Sequence, residues 1–123
     1  MKVVNLAQKF AKFSDHWSPK IAGELNDSYV KLVKFSGEFV WHHHDAEDEL
    51  FLVLDGTMRM HFRENGVERH CDVRPGEFVI VPRGVEHKPA AEREVQVLLL
   101  EPKTTLNTGN VSNERTREKL DWV

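Results

Sequence analysis

The sequence predicts an all-β domain, an antiparallel sandwich or barrel, with a short helix before it. From Tyr29 onward apolar residues recur with a period of two, the period at which strand side chains alternate between faces. These segments are short and are separated by Gly, Pro and Asn at close intervals. Short strands separated by such turn residues are typical of antiparallel sandwiches and barrels.

The elements follow from local pattern. Val3–Phe13 has apolar residues at helical spacing, and Asn5 is suited to cap a helix there. Residues 14–27 are predicted to be mostly loop with at most one short strand. Strands are predicted over residues 29–36, 39–44, 49–54, 57–63, 67–73, 77–81, 86–90 and 94–101. Asp55-Gly56 and Asn65-Gly66 each indicate a type I′ hairpin turn.

The chain is expected to form one domain, because 123 residues is the usual size of a single core. We divide it into an N-terminal helix and arm (1–28), a barrel (29–101) and a polar C-terminal tail (102–123). The formal net charge of −3 gives no reason to expect nucleic acid or an anionic membrane as partner. No apolar run is long enough to span a bilayer or to serve as a signal peptide. Cys71 is the single cysteine, so no internal disulfide is possible, and a cytoplasmic location is expected.

The candidate metal-binding residues and the turn residues near them lie at fixed offsets in the sequence. They are His42, His44, Glu49 and Gly56, followed about twenty residues later by Gly76, Pro82, Gly84 and His87. On a strand, His42 and His44 would point to one face and His43 to the other. Two such histidines, a carboxylate opening the next strand and a fourth residue behind a Pro/Gly turn can converge on one metal ion.

These segments resemble the two motifs of the cupin superfamily, G-x5-H-x-H-x3,4-E-x6-G and G-x5-P-x-G-x2-H-x3-N. Here residues 37–56 read GEFVWHHHDAEDELFLVLDG, and residues 76–91 read GEFVIVPRGVEHKPAA. Gly37 is one residue closer to the first histidine than the pattern requires, and Ala91 replaces the terminal Asn. Neither departure falls on a metal-ligand position. The resemblance covers about Phe35 to Ala91.

The resemblance implies the cupin double-stranded β-helix, an antiparallel jelly-roll barrel, and a metal site. Its ligands would be His42, His44, Glu49 and His87, and its cofactor one divalent ion of Fe, Mn, Ni, Co, Cu or Zn. A jelly roll could retain the Gly and Pro positions for its turns alone. Turns do not require three histidines and a glutamate in this arrangement, however.

Three functions remain open, because a fold alone does not decide among them. The first is a metal-dependent enzyme acting on a small polar metabolite, dioxygenase-like or sugar isomerase-like. The second is a non-catalytic cupin that binds or senses a small molecule, and the third is a closed structural metal site in an interaction protein. Small cupins commonly pair across a two-fold axis, so a homodimer is expected. The N-terminal helix and Trp122 are its candidate contacts.

Overall fold

The computed structural model describes residues 1–123 and confirms an antiparallel, mostly β architecture. One helix and seven strands follow in chain order: α1 (Leu6–Phe10), β1 (Lys20–Leu25), β2 (Ser28–Glu38), β3 (Glu49–Asp55), β4 (Met58–Glu64), β5 (Val67–Val73), β6 (Phe78–Val81) and β7 (His87–Pro102). Every strand pairing is antiparallel. No helix has the length and hydropathy needed to span a bilayer.

Strand β7 joins the two halves of the barrel. Its first residues pair with β4, from His87 opposite Phe62 to Ala90 opposite Arg59. Its later residues pair with β3, and β2 runs beside β7 along most of its length. The segments 86–90 and 94–101 are therefore one continuous strand, which bends from one sheet into the other and closes the jelly roll.

The core fills the interior of the barrel. Most of the inward positions of β2 to β7 are apolar; the inward residues Lys31, Glu49 and Glu101 are exceptions. The apolar residues form one buried cluster: Val33, Phe35, Phe51, Val53, Met58, Met60, Val73, Val81, Ala91, Val95, Val97 and Leu99. Burial of this apolar surface is the main stabilising contribution to the fold.

The two predicted hairpin turns have different outcomes. Asn65 and Gly66 both have positive φ, 51° and 74°, and connect the paired strands β4 and β5, as a type I′ turn requires. At Asp55-Gly56 only the glycine has positive φ, and β3 does not pair with β4. The prediction of a hairpin there is wrong. Gly56 is needed instead because a Cβ at this position would lie 2.7 Å from the carbonyl oxygen of Glu94.

Two other predictions change. Residues 39–44 do not form a strand; His42 makes only an isolated bridge to His87. The helix is shorter than Val3–Phe13, although Asn5 caps it as predicted, accepting from the Gln8 backbone N–H at 2.9 Å. The one short strand allowed within residues 14–27 is β1, which pairs antiparallel with β2.

The C-terminal segment 103–123 packs on the barrel. Trp122 bridges Ile21 of β1 in a parallel arrangement, and Thr108 is fully buried. The Asn110 backbone N–H donates to the carbonyl oxygen of His43 at 3.1 Å. This segment is polar in sequence, yet it lies against the loop that carries two of the predicted metal ligands.

Candidate metal centre

The structure brings together the four residues that the sequence singled out as metal ligands. His42 and His44 lie in the irregular segment between β2 and β3, Glu49 is the first residue of β3, and His87 is the first residue of β7. All four side chains are buried. One potential ligand atom from each residue lies within 4.8 Å of the others. Residues far apart in sequence therefore converge on a volume the size of one ion.

Backbone carbonyl groups orient two of the imidazole rings. His42 Nδ1 lies 2.9 Å from the carbonyl oxygen of Val40, and His87 Nδ1 lies 2.9 Å from that of Val85. A carbonyl oxygen only accepts, so each Nδ1 carries the proton and donates. In the neutral form of each ring this arrangement leaves Nε2 free of a proton, which is the tautomer that a metal ligand needs, and the hydrogen bond fixes the direction of the ring.

The remaining ring nitrogens fit a cation. His44 Nε2 and His87 Nε2 are buried without a hydrogen-bond partner. Both lie beside the Glu49 carboxylate, whose Oε1 contacts His44 Nε2 and whose Oε2 is 3.7 Å from His87 Nε2. Burying unpaired polar atoms destabilises a protein, and a bound ion would satisfy them. Three imidazoles and a carboxylate suit the first-row divalent metals.

The charges of the cluster support the same conclusion. Burial, reinforced by the neighbouring His87, lowers the pKa of His42 to about 4, so this ring is neutral. Burial alone would raise the pKa of Glu49, but its contacts with the His44 and His87 rings outweigh this effect and lower that pKa to about 2. Burial alone would lower the pKa of His44, but the Glu49 carboxylate outweighs this effect and raises that pKa. A proton and a metal ion would therefore compete for the His44 ring.

Comparison with known proteins decides the family. The model of the cupin domain family matches residues 29–102, which is more than half of the chain. The chain belongs to the cupin family. It is 33% identical over 81 residues to the uncharacterized protein YdbB of Bacillus subtilis (strain 168), an alignment covering 66% of this chain and 63% of YdbB. The chain thus spans less than two thirds of the length of that relative.

Solved structures are similar to this cupin over most of its length. A cupin-2 domain containing protein from Shewanella frigidimarina NCIMB 400 is 44% identical, with a TM-score of 0.78, covering 82% of this chain and 95% of that one. Hydroquinone 1,2-dioxygenase from Sphingomonas sp. TTNP3, solved with 4-hydroxybenzoate, has a TM-score of 0.74 at 20% identity. The match covers 84% of this cupin and 32% of the dioxygenase, and it shows a shared fold.

His43 lies outside the ligand cluster of this cupin. Its ring is partly exposed, with Nε2 3.0 Å from the Asp45 carboxylate. Its backbone N–H donates to Asn110 Oδ1 at 2.9 Å. A Cβ on Gly109 would lie 2.2 Å from the His43 carbonyl oxygen, so this glycine allows the close approach. Sequence reasoning placed His43 correctly but missed the C-terminal contacts, since no local pattern links residues 43 and 110.

An apolar cavity of about 50 Å³ opens beside the cluster. The Trp17 ring stacks on those of Phe35 and Phe39, with centroids 4.3 Å and 4.8 Å away. Phe39 packs in turn against the His42 ring at 5.3 Å. These aromatic walls keep water away from one side of the cluster.

A buried ion pair borders the same cavity, and the sequence analysis missed it. Lys31 Nζ lies 2.7 Å from Glu101 Oε1, and the two side chains are 2% and 3% exposed. Burial, together with the charge of Glu49, raises the pKa of Glu101, and the positive charge of Lys31 opposes this shift and favours the carboxylate. Both residues occupy inward positions of strands that are otherwise apolar there. A charge at such a position was the signal available in the sequence.

Proposed function

We propose that this cupin is a metal-dependent enzyme acting on a small metabolite, with His42, His44, Glu49 and His87 holding one divalent ion. The observation that carries the proposal is the convergence of four buried donors, two of which have unpartnered ring nitrogens. Such nitrogens are costly to bury unless an ion binds them, so they support the metal site on which the proposed enzyme depends. Cupin relatives include metal-dependent enzymes, which agrees with this assignment.

When bound, the ion would supply a Lewis acid or, if it is redox-active iron, a redox centre. The protein supplies the rest. The Val40 and Val85 carbonyl groups hold the imidazoles in the ligating tautomer. The aromatic walls shield the reacting groups from bulk water, which strengthens electrostatic interactions there.

The cavity favours a dioxygenase-like reaction over isomerisation of a phosphorylated sugar. Its walls are largely apolar, and no arginine or lysine lines it to pair with a phosphate. Lys31 is paired with Glu101, which lines the cavity. The metabolite would therefore place its polar oxygens on the ion and its apolar part against Trp17 and Phe39.

The test is metal analysis followed by reconstitution with Fe(II), Mn(II) or Zn(II) and measurement of oxygen uptake with candidate metabolites. One equivalent of metal with substrate-dependent oxygen uptake would support the enzyme. Metal and ligand binding without turnover by any reconstituted form would favour a binding or sensing protein instead. Failure to retain any metal would contradict the proposal.

We also propose that a second copy of this chain covers the outer face of the sheet formed by β3, β6 and β7. Cross-strand neighbours there form two apolar rows: Ile80, Leu50 and Leu100, and Phe78, Leu52 and Leu98. Phe78 and Ile80 are 60% and 51% exposed. A contiguous apolar sheet face is typical of a subunit interface.

Of the contacts first expected of a dimer, the helix residue Phe10 is buried within the chain. The Trp122 ring packs edge-on against Tyr29 at 6.0 Å and remains 58% exposed. The outer sheet face therefore supports the homodimer better than the helix does. A standard interface buries about 800 Å² per partner, so polar residues around the two rows would form the rim.

A further inference from the structure

The Lys31–Glu101 pair is the one buried ion pair of the barrel interior outside the four proposed ligands. Both side chains are almost fully buried and meet at 2.7 Å. Taking two charges out of water costs several kcal/mol per ion, and apolar residues of similar volume often replace such a pair without loss of stability. Stability therefore does not account for the pair, and its position suggests a role in binding.

Strand register places Glu101 beside the metal cluster. Leu50 of β3 pairs with Leu100 of β7, so the following residue of β7, Glu101, lies next to Glu49 on the inner face of the sheet. Glu101 lines the same cavity as Glu49 and His42. It is not among the residues whose donor atoms converge. Its Oε1 accepts from Lys31, which leaves Oε2 for a molecule in the cavity.

We propose that Glu101, held in place by Lys31, is a ligand-binding residue that hydrogen-bonds a hydroxyl group of the bound molecule. A hydroxyl group can donate to a carboxylate or accept from a carboxylic acid, so it suits Glu101 in either protonation state. A carbonyl oxygen would pair only with the acid form. The chemical class is thus a small molecule with a hydroxyl group adjacent to the oxygen that binds the ion.

The dimensions of the cavity restrict this class further. The cavity beside the cluster has a volume of about 50 Å³. A short molecule whose hydroxyl group is on the carbon next to the metal-binding group fits this space. A short 2-hydroxy carboxylate meets these conditions. This inference rests on the proposed function, because it requires an ion at the four-residue cluster.

The test compares L-lactate with propionate, which carry the same charge and differ by one hydroxyl group. Binding to the zinc-loaded protein is measured by isothermal titration calorimetry, since zinc is redox-inert and excludes oxidation of the bound acid. We expect the preference for lactate to fall about tenfold or more in Lys31→Met/Glu101→Leu, because a hydrogen bond to a charged group is lost. Lactate can also chelate the ion. This contribution to its affinity is the same in the wild-type protein and the double variant, so it cancels when the two preferences are compared.

Two controls keep the result interpretable. Zinc content and melting temperature of the double variant should match the wild-type protein, since its replacements are apolar and of similar volume. Glu101→Gln should retain most of the lactate preference, because its amide can still accept from Lys31 and donate to a hydroxyl group. An unchanged preference in the double variant would overturn the inference, as would a zinc-loaded protein that binds neither acid. A wild-type protein that takes up no zinc would overturn the proposed function itself.

Discussion

Replacing His87 should abolish the stabilisation that a metal gives this cupin. His87 is fully buried and supplies one of the four convergent donors. An ion that binds only the folded protein, present at about 100 times its dissociation constant, stabilises it by about 2.7 kcal/mol. For a domain of this length about 4 °C accompanies each kcal/mol, so the melting temperature should rise by about 10 °C. In His87→Ala we expect almost none of this rise.

The measurement is differential scanning calorimetry of each protein with zinc and with a chelator. His43→Ala is the matched control, because its ring is outside the cluster and paired with Asp45. It should keep the full rise, and its metal content should match the wild-type protein. Equal losses in His43→Ala and His87→Ala would refute the assigned ligand set. A full rise in His87→Ala would show that the second motif does not reach the ion.

Three further predictions concern pH, the turn at Gly56 and the outer sheet face. The raised pKa of His44 means that a proton competes with the metal. The affinity for the metal should therefore fall by about tenfold for each unit by which the pH drops below that pKa, and it should be regained above that pKa. Titration with a competing chelator measures this affinity. Gly56→Ala should lower the free energy of unfolding by about 2 kcal/mol or more, because its φ is 79° and its Cβ would lie 2.7 Å from Glu94 O. Gly66→Ala, with φ of 74° and open space, should cost less in the same denaturant titration. The double variant Phe78→Ser/Ile80→Thr should be a monomer when its mass is measured by light scattering. The control Val67→Thr, on the exposed strand β5, should remain a dimer. A wild-type protein that is itself a monomer would contradict the proposed interface.

The four-residue cluster could be predicted because His42, His44 and Glu49 lie close together in sequence and His87 belongs to the second motif. The geometric reason given for His42 and His44 was nevertheless incomplete, since their segment is irregular. The His42 ring is held by a hydrogen bond to the nearby Val40 carbonyl oxygen, and its backbone bridges His87. The bridge depends on a long-range pairing that the local sequence does not encode.

Two dipeptides of the same kind each predicted a type I′ hairpin turn, and one of these predictions is correct while the other is wrong. Asn65-Gly66 follows the type I′ rule because its flanking strands pair with each other. Asp55-Gly56 has the same signal, but β7 lies between β3 and β4 in the pairing scheme. Tertiary topology overrides the local preference there. The sequence signals each inward charge of the Lys31–Glu101 pair but not their pairing, because 70 residues separate the two.

The last residues of the chain protect a sheet edge. Strand β1 is the outermost strand of its sheet, and unpaired edges promote association with other chains. Ile21 N–H donates to Asp121 O at 2.9 Å, and Val123 N–H donates to Ile21 O at 3.0 Å. Lys9 Nζ in turn donates to the Val123 carbonyl oxygen at 2.9 Å, which ties helix α1 to the same place. Deleting residues 121–123 would expose this edge and favour aggregation through strand pairing, without touching the metal cluster directly.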